Sequence, residues 1–88
     1  MSFKVFWTAS AKGDLRKIIG VVSNDKFTEI VEAPLGIVFL EQFQFDEYRV
    51  DCRRIIVGNY KLLYQFKDNV IIVVRVFNTR QDPNKSLK

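Results

Sequence analysis

The chain has 88 residues, a formal net charge of +4 and 48% hydrophobic residues, which predicts one small folded domain over residues 1–88. It has one cysteine and no histidine, so an intramolecular disulfide and imidazole catalysis are excluded and no cofactor or metal is expected. The apolar runs are far shorter than the ~20 residues of a membrane span. Because the N-terminus also lacks a signal-peptide layout, we expect a cytoplasmic protein.

The first elements in the chain are a predicted strand and a predicted helix. Alternation in SFKVFW indicates a strand over residues 2–7. Thr8 or Ser10 can cap the helix, and Asp14 is expected in its first turn, where the helix dipole favours a carboxylate. The expected apolar face of this helix comprises Ala11, Leu15, Ile18, Ile19 and Val22.

A second helix is predicted from the cap signal SND at 23–25 and from the spacing of Phe27, Ile30 and Val31. Pro34 should end it, because the proline ring clashes with the carbonyl four residues earlier. The β-branched and aromatic residues of 35–45 favour an extended segment there.

The second half predicts three strands, at 52–57, 60–66 and 70–77. Gly-Asn at 58–59 suits a type II′ turn, and Asp-Asn at 68–69 suits a type I′ turn. Two such turns make an antiparallel meander. We therefore predict an α+β fold: one N-terminal strand, two helices, then a three- to four-stranded antiparallel meander, with a polar tail from about residue 79.

The two tight turns also predict which strand residues share a face. The side expected to hold the helices carries Arg53, Ile55, Val57, Tyr60, Leu62, Tyr64, Phe66, Ile71, Val73, Arg75 and Phe77. On this side Arg75 should pair with an acidic helix residue, Asp14 or Glu29, and the tyrosines should belong to the core rather than to a base-stacking platform.

The opposite, open face carries Cys52, Arg54, Ile56, Lys61, Leu63, Gln65, Ile72, Val74 and Val76. If the last strand keeps its alternation, Asn78 and Arg80 point to the same face. Arg54, Lys61 and Arg80 would then form a basic cluster, either solvated charge or a phosphate-binding site. Arg53 and Asn78 are further candidates for phosphate contacts.

Other candidate groups have simpler interpretations. The carboxylates Glu41, Asp46, Glu47 and Asp51 predict a solvated loop rather than a metal site. Cys52 is expected to be a structural apolar residue, because no base is available beside it.

The segment YRVDCRRIIVGNYKLLYQFKDNVIIVVRVFNTRQDP resembles the C-terminal half of the RelE/ParE superfamily of bacterial type II toxins, which includes toxins of plasmid stabilisation systems. The shared features are a basic strand, a Gly-Asn-Tyr turn, a Tyr-Lys-apolar-apolar-Tyr strand and an apolar strand that ends in an arginine-containing segment. The resemblance covers residues 48–83 in detail, and the strand–helix–helix beginning fits the same family order.

This resemblance implies a cognate antitoxin as partner and inhibition of growth by one of two routes. RelE-like members cleave mRNA in the ribosomal A site, and ParE-like members inhibit DNA gyrase. Lys61 and Arg80 match the positions of catalytic arginines in the nucleases, and Arg54 lies near the position of a catalytic lysine. These cations would bind the scissile phosphate and stabilise the charge of the transition state.

One departure concerns the C-terminal tail, where RelE-like members carry a tyrosine or a His-Tyr pair. Here the tail reads QDPNKSLK, and Lys85 and Ser86 are poor substitutes. Tyr48 is the conceivable alternative donor. Three interpretations stay open: an RNA-binding, ribosome-dependent mRNA endoribonuclease, the first choice; a gyrase inhibitor; and an inactive homologue that only binds its antitoxin.

Overall fold

The computed structural model describes residues 3–39 and 42–80, so the polar tail after Arg80 lies outside the described residues. The elements in chain order are β1 (Lys4–Trp7), α1 (Ala9–Ile18), α2 (Asn24–Glu32), a 3-10 turn (Ala33–Gly36), β2 (Arg53–Val57), β3 (Tyr60–Lys67) and β4 (Val70–Asn78). This order confirms the predicted α+β fold. No helix of the described ranges has the length and apolar character needed to cross a membrane.

The four strands form one sheet in the order β1-β4-β3-β2. β1 runs parallel to β4, whereas the other neighbours are antiparallel. Gly58 has a φ of +59° at the first position of its turn, as a type II′ turn requires, and Asp68 and Asn69 have φ of 54° and 65°, as type I′ requires. Both predicted turns are therefore confirmed.

Both helices begin at side-chain caps. The Thr8 hydroxyl accepts the Ala11 N–H at 3.1 Å, and the Ser23 hydroxyl accepts the Lys26 N–H at 3.1 Å. Because α1 starts at Ala9, Asp14 lies in its second turn, and the prediction of a first-turn position is wrong. The placement of Ile19 on the apolar face is also wrong, since the helix ends at Ile18 and Ile19 is exposed.

The main core lies between the helices and one face of the sheet, as predicted. Side chains from α1 and α2 pack there against the central strands. The buried members of this cluster are Ala11, Ile30, Ile37, Ile55, Val57, Tyr60, Leu62, Tyr64, Ile71, Val73 and Val76. A second, smaller cluster of Cys52, Leu63 and Phe77 lies apart from it.

A bulge interrupts the pairing of β3 with β4. Tyr64 pairs with Val73, as the turn predicts, but Leu63 pairs with Arg75, so the register shifts by one residue. One inserted residue moves every later side chain of the strand to the other face. The predicted faces of Val76 and Phe77 are therefore wrong: Val76 joins the main core, and Phe77 packs with Cys52.

The predicted extended segment at 35–45 is wrong for its described residues, apart from one bridge between Phe45 and Arg53. After the 3-10 turn, a glutamine side chain satisfies backbone groups that a strand would have paired. Gln42 accepts the Val38 N–H at 2.8 Å and donates to the Gly36 carbonyl at 3.1 Å. A local side-chain interaction therefore replaces a strand partner.

Candidate functional site

Lys61, the best-supported candidate for catalysis in the sequence, is buried in an ion pair. Its side chain extends from β3 and its Nζ lies 2.5 Å from Asp46 Oδ1. The ammonium also lies 4.9 Å from the centre of the Phe77 ring and 5.5 Å from that of Tyr48. With 8% of its side chain exposed, Lys61 reaches solvent only marginally, and its charge is neutralised at the site.

Asp46 occupies this position because the segment of residues 42–52, here called the Asp46 loop, folds onto the sheet. The backbone N–H of Asp46 donates to the Cys52 carbonyl at 2.8 Å, and the Arg54 N–H donates to the Gln44 carbonyl at 3.0 Å. Asp46 Oδ2 accepts the N–H groups of Tyr48 at 3.0 Å and Arg49 at 2.8 Å. The carboxylate therefore orders its own loop and binds a strand side chain at once.

The prediction that Asp46 is a solvated loop carboxylate is therefore wrong. The residue is 1% exposed, and both of its carboxylate oxygens accept hydrogen bonds from N–H groups of the protein. The sequence carries a partial signal, because an aspartate whose side chain bonds backbone N–H groups two and three residues later forms a common turn. That signal reveals a local turn, but it contains no information about Lys61.

The electrostatics of Asp46 follow from these contacts. Burial by itself raises the pKa of the Asp46 carboxyl, but the hydrogen bonds from Lys61 and from the Arg49 and Tyr48 backbone outweigh it and hold the pKa below its ordinary value of 3.8. A carboxylate with a lowered pKa stabilises the fold above the pKa of the unfolded chain, and this contribution is lost as the pH falls through the folded value.

Acid should therefore remove the stabilisation that Asp46 provides. We expect the free energy of unfolding of the wild type to approach that of Asp46→Asn as the pH falls below 3.8, by at most about 1.4 kcal/mol per pH unit. Urea unfolding of both proteins between pH 7 and pH 2.5 measures the difference. A difference that stayed constant or grew in acid would contradict the assigned charge state.

Arg54 shares Asp46 with Lys61, which confirms the predicted proximity of these two cations. Its Nη1 lies 3.8 Å from Asp46 Oδ1, and 28% of its side chain is exposed. The two residues line a surface depression of about 340 Å³ together with Glu47, Tyr48, Ile56, Phe77 and Thr79. Asp46 and Glu47 bring two negative charges to a place where the sequence predicted only positive ones.

The structure does not bring Asn78 or Arg80 to this depression. The bulge changes the side of the strand that Asn78 occupies, so it lines a different groove with Asp14 and Lys17. The strand ends at Asn78, and Arg80 follows in an exposed turn where its N–H donates to Asn78 Oδ1 at 2.9 Å. The prediction that Asn78 points to the open face is therefore wrong, because it assumed unbroken alternation, and Arg80 follows only after the strand has ended.

Arg53, the remaining phosphate candidate, is held by the Asp46 loop. Its Nη1 donates to the Phe43 carbonyl at 2.7 Å, and its guanidinium lies 4.0 Å above the Phe45 ring. Both contacts fasten the loop to β2. Arg53 therefore has a structural use on the opposite side of the sheet from Lys61.

A second buried carboxylate confirms a structural prediction. Arg75 Nε donates to Asp14 Oδ2 at 2.8 Å and its Nη2 to Asp14 Oδ1 at 3.2 Å, so the predicted pairing with Asp14 rather than Glu29 is the one observed. The same carboxylate accepts the Val76 N–H at 2.9 Å. Asp14 thus replaces a strand partner beside the bulge and ties α1 to β4.

Cys52 is fully buried and shares the second apolar cluster with Leu63 and Phe77. Burial raises the pKa of its thiol, so it is not activated as a nucleophile. Within residues 3–39 and 42–80, no three carboxylate or cysteine side chains are placed so that they could hold a metal ion. Among the described residues, the groups at the site are therefore the charged side chains around Asp46 and the aromatic rings beside Lys61.

Comparison with known proteins gives the class. The sequence profile of the family described as "ParE toxin of type II toxin-antitoxin system, parDE" matches residues 5–83. The search of curated proteins found no match. The chain therefore belongs to the ParE toxin family of bacterial type II toxin–antitoxin systems, and it is the toxin component of such a system.

Solved structures support the same fold. The chain resembles the toxin–antitoxin complex RelBE2 from Mycobacterium tuberculosis, with TM-score 0.69, 21% identity and coverage of 89% of this chain and 92% of that chain. It also resembles a mutant Escherichia coli toxin RelE in the free state, with TM-score 0.69, 19% identity and coverage of 98% and 93%. YafQ from E. coli follows with TM-score 0.60, 11% identity and coverage of 86% and 92%. These likenesses confirm the RelE/ParE-like fold.

Proposed function

We propose that this toxin inhibits growth by binding a protein target without cutting RNA, and that the target is DNA gyrase, as in ParE-like members. The observation that carries the proposal is the buried Asp46–Lys61 ion pair. A nuclease of this family uses the cation at the Lys61 position to bind the scissile phosphate. Here that cation already has a carboxylate partner that repels a phosphate.

The other nuclease candidates add support. Arg80 lies in the exposed turn after β4 and is not among the residues that line the depression with Lys61 and Arg54. No histidine occurs in the sequence, and the tail lacks the tyrosine of RelE-like members. A phosphate in the depression would therefore meet one partly exposed arginine, with Glu47 and Tyr48 beside it, rather than three converging cations.

The surface around the Asp46 loop fits a protein target. Tyr48 on the loop and Ile56 on β2 are exposed and line one depression with Arg54, and Val50, two residues after Tyr48, is exposed as well. Aromatic and arginine side chains are enriched in protein–protein contacts. We define these residues as the target surface. The Asp46–Lys61 pair then holds the loop in the conformation that presents them.

The compartment and the partner complete the proposal. Gyrase inhibition requires a cytoplasmic toxin, in agreement with the location predicted from the sequence, and a cognate antitoxin that prevents this contact. The mRNA endoribonuclease interpretation stays the alternative, with Lys61, Arg80 and Arg54 as its catalytic residues. Ribosome-bound mRNA and gyrase are therefore the two targets that an experiment has to separate.

The test compares both activities of the full chain side by side. In a bacterial host, induction should reduce plasmid negative supercoiling and leave mRNA 5′ ends unchanged. With purified components, the protein should inhibit supercoiling of relaxed plasmid by gyrase. Val50→Asp should raise the concentration for half-inhibition at least about tenfold, as expected for a side chain worth more than about 1.4 kcal/mol in an interface.

The control for this experiment is Leu35→Asp, which changes an exposed apolar residue of the 3-10 turn. It should inhibit gyrase like the wild type. In-frame cuts within translated messages, abolished in a Lys61→Ala, Arg80→Ala double variant, would refute the proposal and support the endoribonuclease. Normal growth with intact mRNA and normal supercoiling would indicate an inactive, antitoxin-binding homologue.

A further inference from the structure

We propose that the exposed face of α1 contacts the sugar-phosphate backbone of duplex DNA while the target surface contacts gyrase. The inference rests on the proposed function, because gyrase holds the duplex on which it acts. The surface consists of Lys12, Arg16 and Lys17 and is here called the α1 basic face. The inhibited species is then a complex of toxin, gyrase and DNA rather than of toxin and gyrase alone.

Positive charge is concentrated in the first part of the chain. The one acid among residues 1–24 is Asp14, whereas four cations lie there, namely Lys4, Lys12, Arg16 and Lys17. Asp14 is buried and paired with Arg75, whose Nε lies 2.8 Å from Asp14 Oδ2. The exposed charged residues of α1 are therefore all cations. A surface with one sign of charge attracts an oppositely charged polymer.

The cations of the α1 basic face have no counter-charge in the structure. Within residues 3–39 and 42–80, none of the three forms a salt bridge with a carboxylate. Lys26 on α2, in contrast, has its Nζ 3.4 Å from Glu29 Oε1. The α1 basic face therefore presents its full charge to a partner.

The helix dipole accounts for only part of this arrangement. Arg16 and Lys17 lie in the last turn of α1, where the negative end of the helix favours cations. Lys12 is close to the opposite, positive end, because the helix begins at Ala9 and carries no acid in its first turn. α2 has the usual polarity at this end, with Asp25 in its first turn. The dipole therefore does not explain Lys12, whereas a bound anion does.

The spacing of the cations suits a phosphate backbone. Lys12 and Arg16 are four residues apart, so they project from the same side of α1 about 6 Å apart along its axis. Lys17 follows Arg16 at roughly 100° around the helix. Duplex DNA carries one charge per about 1.7 Å of its axis, so phosphates are within reach of such cations at any position. Contacts of this kind position a protein on DNA without reading its sequence.

The α1 basic face and the target surface lie on opposite sides of the sheet. Ile55 is buried in the core beneath the helices, whereas its neighbour Ile56 is 54% exposed on the other side. One toxin molecule can therefore contact gyrase and DNA at once. A few phosphate contacts alone bind weakly, with a Kd on the order of 10⁻⁴–10⁻⁶ M at physiological salt. Attachment to gyrase raises the effective concentration of the duplex to about the millimolar range, so a weak contact is sufficient.

The first test measures DNA binding without gyrase. The full-length toxin is titrated against a short fluorescent DNA duplex at low salt. Lys12→Glu and Arg16→Glu should each raise the Kd at least about fivefold and lower the slope of log Kd against log salt concentration by about 0.9, the value of one phosphate contact. The matched control is Lys67→Glu, which reverses an exposed lysine at the end of β3, and it should bind like the wild type.

The second test adds gyrase. A Lys12→Glu, Arg16→Glu double variant should raise the concentration for half-inhibition of plasmid supercoiling at least about tenfold, yet bind DNA-free gyrase like the wild type. Single variants that bind DNA like Lys67→Glu would overturn the proposal. So would weaker binding of DNA-free gyrase by the double variant, or tighter binding of an RNA duplex of the same sequence, because each assigns the face to another partner. A wild type that binds DNA through this face but does not inhibit gyrase would confirm the DNA contact and refute gyrase as the target.

Discussion

Replacing Asp46 by asparagine is expected to destabilise the protein by about 3–5 kcal/mol, the cost of leaving one partner of a buried ion pair without its counter-charge. Asparagine preserves the volume and one carbonyl oxygen, so the change isolates the charge that Lys61 loses at 2.5 Å. Small domains are stabilised by only about 5–15 kcal/mol, so a large part of the stability would be lost. Urea unfolding at pH 7 measures the difference.

Two further variants make this result specific. Asp51→Asn removes an exposed carboxylate that pairs with Arg49 at 3.0 Å on the surface, and it should cost less than about 1 kcal/mol. Adding Lys61→Met to Asp46→Asn should restore much of the lost stability, because an apolar side chain needs no counter-charge there. A single Asp46→Asn variant as stable as Asp51→Asn would show that the pair does not hold the loop.

Replacing Asp14 by alanine is expected to cost about 2–4 kcal/mol, since the change removes a buried acceptor of charged and backbone donors. The carboxylate accepts from Arg75 and from the Val76 N–H. Without it, a backbone N–H next to the bulge loses its acceptor, and α1 loses its polar contact with β4. Urea unfolding gives the stability, and exchange of the Val76 amide should accelerate beyond the global change.

The matched control is Asp25→Ala, which removes an exposed acid from the first turn of α2. Its interaction with the helix dipole is worth about 0.3–1 kcal/mol, so the loss should be much smaller than for Asp14. If both variants lost the same free energy of unfolding, the contact of Asp14 with β4 would contribute no stability beyond that of an acid on a helix. The Val76 amide would then exchange alike in both variants.

Features that depend on near neighbours in the chain were predicted more reliably than features that depend on residues distant in sequence. Ser23, Gly58 and Asn69 act on their own neighbours in the chain, and their cap and turns were predicted correctly because local backbone energetics decide them. The pairing of Arg75 with Asp14 was also predictable, since a charge directed at a helix side needs a partner. Asn78 was placed on the wrong side, because a bulge after Val73 leaves no mark in the apolar pattern VIIVV.

At the candidate site, too, the contacts set by a short turn were predicted and the contact made by a distant loop was not. Lys61 and Arg54 were placed together correctly by the short hairpin, which allows only one register. Asp46 was missed, because its position above Lys61 depends on the path of an irregular loop rather than on periodicity. The chemistry attributed to Lys61 depends on this contact. A free cation can bind phosphate, but a cation paired with a buried carboxylate primarily holds a loop in place.

By itself, the sequence determined the order of strands and helices, their caps and turns, the apolar face of the sheet that receives the helices, and the family resemblance. Each of these depends on residues close together in the chain or on a regular alternation. The tertiary structure alone decided the bulge in β4 and the burial of Asp46 against Lys61. These features arise where segments distant in sequence compete for the same backbone groups and charges, and such competition is resolved only when the chain is packed.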